Sequence, residues 1–416
     1  MLDLSRSAHA ENAIIINKLC LGRLRKMQIA PFEEKMWESS PTKTRTKISD
    51  SEINHKYELR ENRILTEINR EKLPSLVQAL KNPGYMEMRP FYQRRARWTP
   101  KMQSKLIESF LINIPVPSII LYEKDYNSYE VMDGQQRITA IQDFYENKLT
   151  LTGLELWDEL NGRTYNQLPQ KIRAGIDRRS ISSTVIIAES TSDPEEALFL
   201  KQKTFERLNT GGVDLSQQEV RNCLYYGKFN ELLLKLSRHP IFAEAWGIPT
   251  EDNSAKLEKN TLYKKMEDAE LVLRFFALRN VDKFQQGMEG FLDLYMMRSL
   301  NFDEEDINHL EFIFLKTITI AHLIYGEHLF KPFDQKTQTW SKKSYKAYYD
   351  AIMVGLSRYL PDETKIIAIK DRIIEETKNL FKKPESSLLT GGGKTKAEIQ
   401  DRIRIFDEML LQVIGE

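Results

Sequence analysis

Apolar residues in the first half of the chain follow two rhythms, and the sharpest change between them falls at one dipeptide. From Glu67 to Leu80 the spacing of Ile68, Leu73, Leu76, Val77 and Leu80 predicts a helix that Asn82-Pro83-Gly84 ends. Met102, Leu106, Ile107, Phe110 and Leu111 mark one face of a second helix from about Thr99 to Ile114, with Pro100 in its first turn and Pro115 and Pro117 closing it. Two short strands follow, Ser118 to Tyr122 and Tyr129 to Met132, around a polar turn at Asp125 to Ser128. The second strand runs into Asp133-Gly134, where a helical pattern starts at once and continues as a helix over Ile138 to Tyr145. An extended piece near Leu149 to Leu156 and a β-branched strand at Ser183 to Ala188 complete this part.

Beyond Asp193-Pro194 helical spacing dominates, over about 195 to 208, 216 to 227, 262 to 279, 304 to 326, 342 to 358, 363 to 381 and 396 to 412. The fold class expected is α+β: a mixed α/β N-terminal domain followed by a mainly helical C-terminal domain. Residues 1–60, weakly patterned and then polar and basic, read as a flexible arm. Residues 61–190 form the α/β domain and 191–416 the helical one.

Composition narrows the options. With 416 residues and 41% apolar content the chain can build more than one core. Lys plus Arg (61) nearly balance Asp plus Glu (60), so no global basic field points to nucleic acid, and any such binding must come from local patches. Cys20 and Cys223 are far apart and form no paired motif, which argues against a disulfide framework and fits a reducing, cytoplasmic setting. The apolar tract Phe312 to Tyr325 is interrupted by Lys316 and His322 and reads as a buried helix rather than a membrane span. The N-terminus shows no export-signal pattern.

The candidate chemistry gathers at the Asp-Gly junction. A strand that turns into a helix through glycine leaves backbone N–H groups facing outward at the positive end of the helix dipole, which suits a phosphate. Asp133, Gln135, Gln136 and Arg137 surround that point with a carboxylate for a metal ion or water, two amides and a guanidinium for phosphoryl oxygens. The plainer reading is an Asp-Gly turn with a solvated first helical turn.

A second segment, Arg89 to Trp98 (RPFYQRRARW), interleaves Arg94, Arg95 and Arg97 with Phe91, Tyr92 and Trp98, and Lys101 follows. Arginine forks among aromatic planes suit phosphate contact and base stacking; the alternative is a packed extended segment with solvated arginines. A third, Phe205 to Asn222 (FERLNTGGVDLSQQEVRN), reads as helix, glycine turn, helix, with Ser216 and Glu219 as a capping box. Capping leaves Arg207, Asn209, Thr210, Arg221 and Asn222 over, polar groups that either face the site or belong to the hairpin's own hydrogen bonds. Gly391-Gly392-Gly393-Lys394-Thr395 lacks the leading glycine and strand of a P-loop and reads as a linker with Thr395 capping the last helix. The six histidines show no zinc-ligand spacing.

Taken together, PFYQRRARW, LIESFLINIPVPSIIL, YEVMDGQQRITAIQDFYENKL and FERLNTGGVDLSQQEVRNCLYYG resemble, in order and spacing, the N-terminal domain of GmrSD-type restriction endonucleases, a branch of the ParB/sulfiredoxin-like fold. MEDAELVLRFFAL and KAEIQDRIRIF extend the resemblance from about residue 65 to the end. It implies that the DGQQR motif binds and hydrolyses a nucleoside triphosphate with Mg²⁺, so that Asp133, Gly134, Gln135, Gln136 and Arg137 form the nucleotide site, with Gln93 and Arg94 beside it. It also implies service in bacterial defence against phage DNA. The chain ends where the His-Asn-His nuclease half of the two-part enzymes would begin, so DNA cleavage by this polypeptide is not expected.

The leading expectation is a cytoplasmic nucleotide-binding triphosphatase of a defence system. Asp133, Gln135, Gln136 and Arg137 would serve as catalytic groups, with Asp133 on the metal. Gly134, Gln93, Arg94, Arg207 and Asn209 would hold the nucleotide, and Arg95, Arg97, Trp98 and Lys101 would meet DNA. The alternatives are a DNA-binding module without catalysis and a regulatory partner subunit of a separate nuclease. No membrane partner is expected.

Overall fold

The structure is a computed structural model that describes residues 29–38, 49–58, 65–82, 84–87, 98–187, 200–204, 207, 216–251, 255–391 and 395–415. The chain divides into two compact units, residues 43–224, and residues 225–416 together with the first 42.

The first unit is built on a five-stranded sheet in the order β1-β5-β3-β4-β2, from β1 (Leu65–Lys72), β2 (Met86–Glu87), β3 (Ile119–Asp125), β4 (Ser128–Asp133) and β5 (Ser180–Ile187). β1 runs antiparallel to β5, with Leu65 opposite Ile187 and Lys72 opposite Ser180. β3 is parallel to β5 and antiparallel to β4, which makes β3–β4 a hairpin, and β2 adds a short parallel edge to β4. Its helices are α1 (Asp50–Glu58), α2 (Leu73–Ala79), α3 (Pro100–Leu111), α4 (Gln135–Tyr145), α5 (Gln170–Asp177) and α6 (Gln217–Leu224).

Side chains alternate across a strand, so each face of the sheet has its own set. Ile119, Leu121, Val131, Ile181 and Val185 join Leu73, Leu76, Ile107, Phe110, Ile138, Ile141, Phe144 and Ile176 in one apolar core. Each such aliphatic chain contributes about 1.5–3 kcal/mol by leaving water, so this core is what fixes α4 against β3 and β4. Tyr145 and Tyr165 both donate to Asp177 Oδ1, at 3.0 and 2.9 Å, and tie the end of α4 to the end of α5.

Two local expectations change. The helical spacing from Glu67 to Leu80 resolves into β1 and the shorter α2. Residues 65–72 pair with β5, and Ile68 is 80% exposed, so its place in the helical rhythm was coincidental. Pro74 in the first turn of α2 has no amide to donate, which suits a helix start and not a helix interior. The piece near Leu149 to Leu156 is a loop, held because Glu108 Oε1 accepts from the amides of Glu155, Leu156 and Trp157 at 3.0, 2.7 and 3.0 Å. α4 begins at Gln135, directly after Asp133-Gly134 as expected, with a polar first turn ahead of its apolar positions.

The second unit is helical, with α7 (Lys228–Ser237), α8 (Glu267–Arg279), α9 (Gly287–Arg298), α10 (Glu304–Tyr325), α11 (Lys346–Ser357), α12 (Lys370–Leu380) and α13 (Lys396–Gly415), several one-turn helices and a small hairpin of β6 (Phe333–Asp334) and β7 (Thr339–Trp340). Asp350 on α11 is fully buried and accepts from Arg274 Nε at 3.1 Å and Arg402 Nη1 at 3.0 Å, which joins α8, α11 and α13. The stretch expected as an arm contributes here: in the short helix Pro31–Lys35, Glu33 is wholly buried, accepting from Arg279 Nη1 (3.0 Å), Asn280 Nδ2 (3.1 Å) and Tyr295 OH (3.0 Å). Residues 1–28, 39–48 and 59–64 of that stretch lie outside the described residues.

One stretch, Glu304–His328, is long and apolar enough to cross a membrane by length and composition. Leu310, Phe314, Ile318, Ile320 and Ala321 of its helix α10 are fully buried within this unit, as a core helix requires. Thr395 and Glu398 cap α13 reciprocally, at 2.9 and 3.3 Å, as expected of Thr395, while Gly392, Gly393 and Lys394 lie outside the described residues.

Candidate functional site

β4 ends at Asp133, and Gly134 turns the chain into α4 with φ +97°. A side chain there would be strained by the left-handed backbone, and a Cβ would come 2.5 Å from Ile119 Cγ2 on the neighbouring strand. Glycine is therefore required twice, for its dihedral and for the close approach of strand and helix. It also leaves the start of α4 without a side-chain cap from the N-cap position.

Asp133 and Arg137, one helical turn apart, form an ion pair through Oδ2 and Nη2. The Arg137 side chain is 12% exposed and that of Asp133 41%, so the acid is the open half of the pair. Arg137 Nε is buried and has no hydrogen-bond partner among the described residues. Gln135 is buried, and Gln136 turns the other way: its Oε1 accepts from the backbone N–H of Trp98 at 3.0 Å. That bond fastens the end of the basic, aromatic segment to the first turn of α4. The Trp98 ring packs against the unit's core, while Lys101 is exposed, its stem lying across Gly153. Arg207 is exposed, on the segment that follows residues 200–204. Gln93, Arg94, Arg95, Arg97 and Asn209 lie outside the described residues.

Behind the junction, on the sheet face opposite the apolar core, lies a pair that the sequence patterns did not single out. Glu130 on β4, three residues before Asp133, is buried and accepts from Lys201 Nζ at 2.7 Å, and both side chains are almost wholly enclosed. Lys201 also stands 4.5 Å from the centre of the Tyr122 ring on β3. Burial, with Glu130 close by, pushes the Tyr122 hydroxyl's pKa up. The pair pins residues 200–204, the lead-in to the FERLNTGG motif, onto the strand that ends at Asp133. A glutamate among apolar residues of one strand, YEVM, was the available signal.

The expected capping box at Ser216 and Glu219 is present, with bonds of 3.2 and 2.8 Å. Arg221 and Asn222, left over by that reading, are buried in α6. Among the described residues no group of three or more His, Cys, Asp or Glu could hold a metal by itself. A Mg²⁺ carried on a triphosphate needs less, since one carboxylate can complete a shell of phosphate and water oxygens, and Asp133 has the exposure for that.

The first unit is thus a mixed α/β domain whose hairpin exits through glycine into an uncapped helix start lined by a carboxylate and a guanidinium. Residues 73–226 match the family model described as GmrSD restriction endonuclease, N-terminal domain. The matched span runs from the start of α2 to just beyond α6 and contains all the candidate site residues. No curated protein and no solved structure matches the chain.

Proposed function

We propose that the chain binds and hydrolyses a nucleoside triphosphate as one component of a restriction-type defence system, with the site at the β4–α4 junction. The family of residues 73–226 supports the defence role. The observation that carries the nucleotide role is the left-handed Gly134 opening a helix with no N-cap side-chain bond, beside a guanidinium whose buried Nε has no partner among the described residues. The ParB/sulfiredoxin-like kinship of the sheet is part of the same reading.

Each residue at the junction has its own task. The first amides of α4 and the helix dipole hold phosphate oxygens. Arg137, oriented by Asp133, meets the terminal phosphoryl group, where charge spreads during transfer. Asp133, the exposed half of the ion pair, would hold a nucleotide-borne Mg²⁺ or accept a hydrogen bond from an attacking water. Gln135 lines the buried side, and Gln136 holds Trp98 and with it the basic segment. Mg²⁺, when bound, would neutralise phosphate charge. Gln93, Arg94, Arg207 and Asn209 complete the nucleotide site, Arg95, Arg97, Trp98 and Lys101 contact DNA, and a separate subunit supplies any nuclease.

Phosphate release from the four ribonucleoside triphosphates with Mg²⁺ tests this. A guanidinium aimed at developing charge is worth on the order of 10³-fold or more in rate, so Arg137→Ala should nearly abolish turnover. Turnover that is absent from the wild-type chain, or unchanged in the variant, would remove the hydrolytic assignment.

A further inference from the structure

Charge is balanced over the whole chain, 61 basic against 60 acidic residues, and exposed lysines elsewhere commonly stand beside an acid: Lys105 by Glu155, Lys124 by Glu87, Lys148 by Glu146, Lys235 by Glu311. One corner of the helical unit departs from this. Between residues 331 and 346 the chain carries Lys331, Lys336, Lys342, Lys343 and Lys346, with Asp334 as the one acid. The end of α12 and the turn after it add Lys378, Lys382 and Lys383, alongside Glu375, Glu376 and Glu385.

Packing brings the two groups together. Gln335 in the β6–β7 loop donates to the Lys378 carbonyl, and Lys378 Nζ lies 5.5 Å from the centre of the Phe333 ring. Phe381 packs edge-on to Tyr348 of α11, with ring centres 5.3 Å apart, which seats Lys382 and Lys383 beside the chain that follows the hairpin. Trp340 stacks on His328 at 5.3 Å and meets Phe333 edge-on at 5.2 Å, so the hairpin has a rigid aromatic floor.

Among the described residues Lys346 is the one lysine of this corner in an ion pair, with Glu267. Lys331 and Lys382 donate to uncharged acceptors, the Glu327 carbonyl and Asn379 Oδ1, rather than directly to a carboxylate. Lysines at a helix end complement its dipole, which accounts in part for those of α12 but not for those around the hairpin.

We propose that this lysine corner of the helical unit is a nucleic-acid surface that grips the phosphate backbone of a DNA duplex. Lysine heads are strongly hydrated point charges suited to phosphates rather than to base edges, so the grip is sequence-independent. A lipid surface fits less well: Tyr345 is the one large apolar side chain exposed here, whereas interfacial binding needs an apolar face to insert. The inference stands apart from the nucleotide site, because it uses none of its residues.

The test uses the full chain, a labelled random-sequence duplex and fluorescence anisotropy over a series of salt concentrations. Wild-type log affinity should fall steeply with log salt. The combination Lys336→Gln, Lys342→Gln, Lys343→Gln and Lys382→Gln should flatten that slope by about 0.9 for each phosphate no longer neutralised and weaken binding at least about tenfold. Lys105→Gln with Lys148→Gln should leave both quantities unchanged, and circular dichroism should show every variant folded. A folded quadruple variant with the wild-type slope would overturn the proposal. So would a wild-type chain that binds anionic vesicles but no duplex.

Discussion

Alanine at position 134 separates two physical demands that the Asp-Gly junction makes on one residue. The left-handed backbone at φ +97° costs an L residue about 1–2 kcal/mol. A Cβ placed 2.5 Å from Ile119 Cγ2 and 3.0 Å from Ile119 Cβ must displace a buried side chain of β3, an overpacking cost of about 1–3 kcal/mol. Together Gly134→Ala should destabilise the α/β unit by about 2–5 kcal/mol. Gly84 provides the control, since its φ of +91° is nearly the same but nothing lies within 4 Å of its would-be Cβ. Gly84→Ala should cost the dihedral term alone, and the gain from stiffening the unfolded chain cancels between the two. At about 2–4 °C per kcal/mol for a unit of this size, melting of the first variant should lie several degrees below the second. Hydrogen exchange at amides of α4 and β3 would assign the loss to this unit rather than to the helical one. Equal destabilisation by the two substitutions would refute the claim that strand and helix are held at contact distance through Gly134.

Two further outcomes follow from groups around the junction. Lys201→Met leaves Glu130 buried without its cation and should cost about 3–5 kcal/mol, whereas Lys201→Met with Glu130→Met should recover most of that in denaturant titrations; equal losses would exclude the ion pair as the cause. The hydroxyl of Tyr165 is pushed up to about 12, chiefly by burial and by its bond to Asp177, and that of Tyr145, burial again leading, is raised further still. The folded state therefore keeps protons that the unfolded chain loses near pH 10, so the stabilisation is complete below that pH and falls as pH rises through about 12. Absorbance of ionised tyrosine followed alongside unfolding should show both residues titrating only as the α/β unit opens, and early titration of the pair would contradict the Asp177 lock.

The sequence made the junction legible because a period of two gives way to a period of 3.6 across a glycine, and because alternating Val131 and Ile119 have no other place than a core. The helical second half was legible for the same reason, as α10 and α11 bury long apolar stripes. β1 was not: its residues are exposed on both faces, so it carries no apolar alternation, and Ile68 lent it a false helical beat. Lys201 was hidden as well, since the partner that makes it matter lies 71 residues earlier and pairing across that distance leaves no periodic trace. Glu33 likewise takes its meaning from Arg279, Asn280 and Tyr295, which no local pattern connects to a short polar helix.

Calorimetric titration of the full chain with Mg²⁺ and a non-hydrolysable triphosphate analogue tests the central claim most directly, because it asks whether the β4–α4 junction holds phosphate at all. Saturable one-to-one binding is expected, weakened about tenfold or more by Arg137→Ala through removal of a charge-assisted hydrogen bond of about 1.5–3 kcal/mol. No saturable heat from the wild-type chain, or equal affinity in the wild type and a folded Arg137→Ala variant, would contradict it.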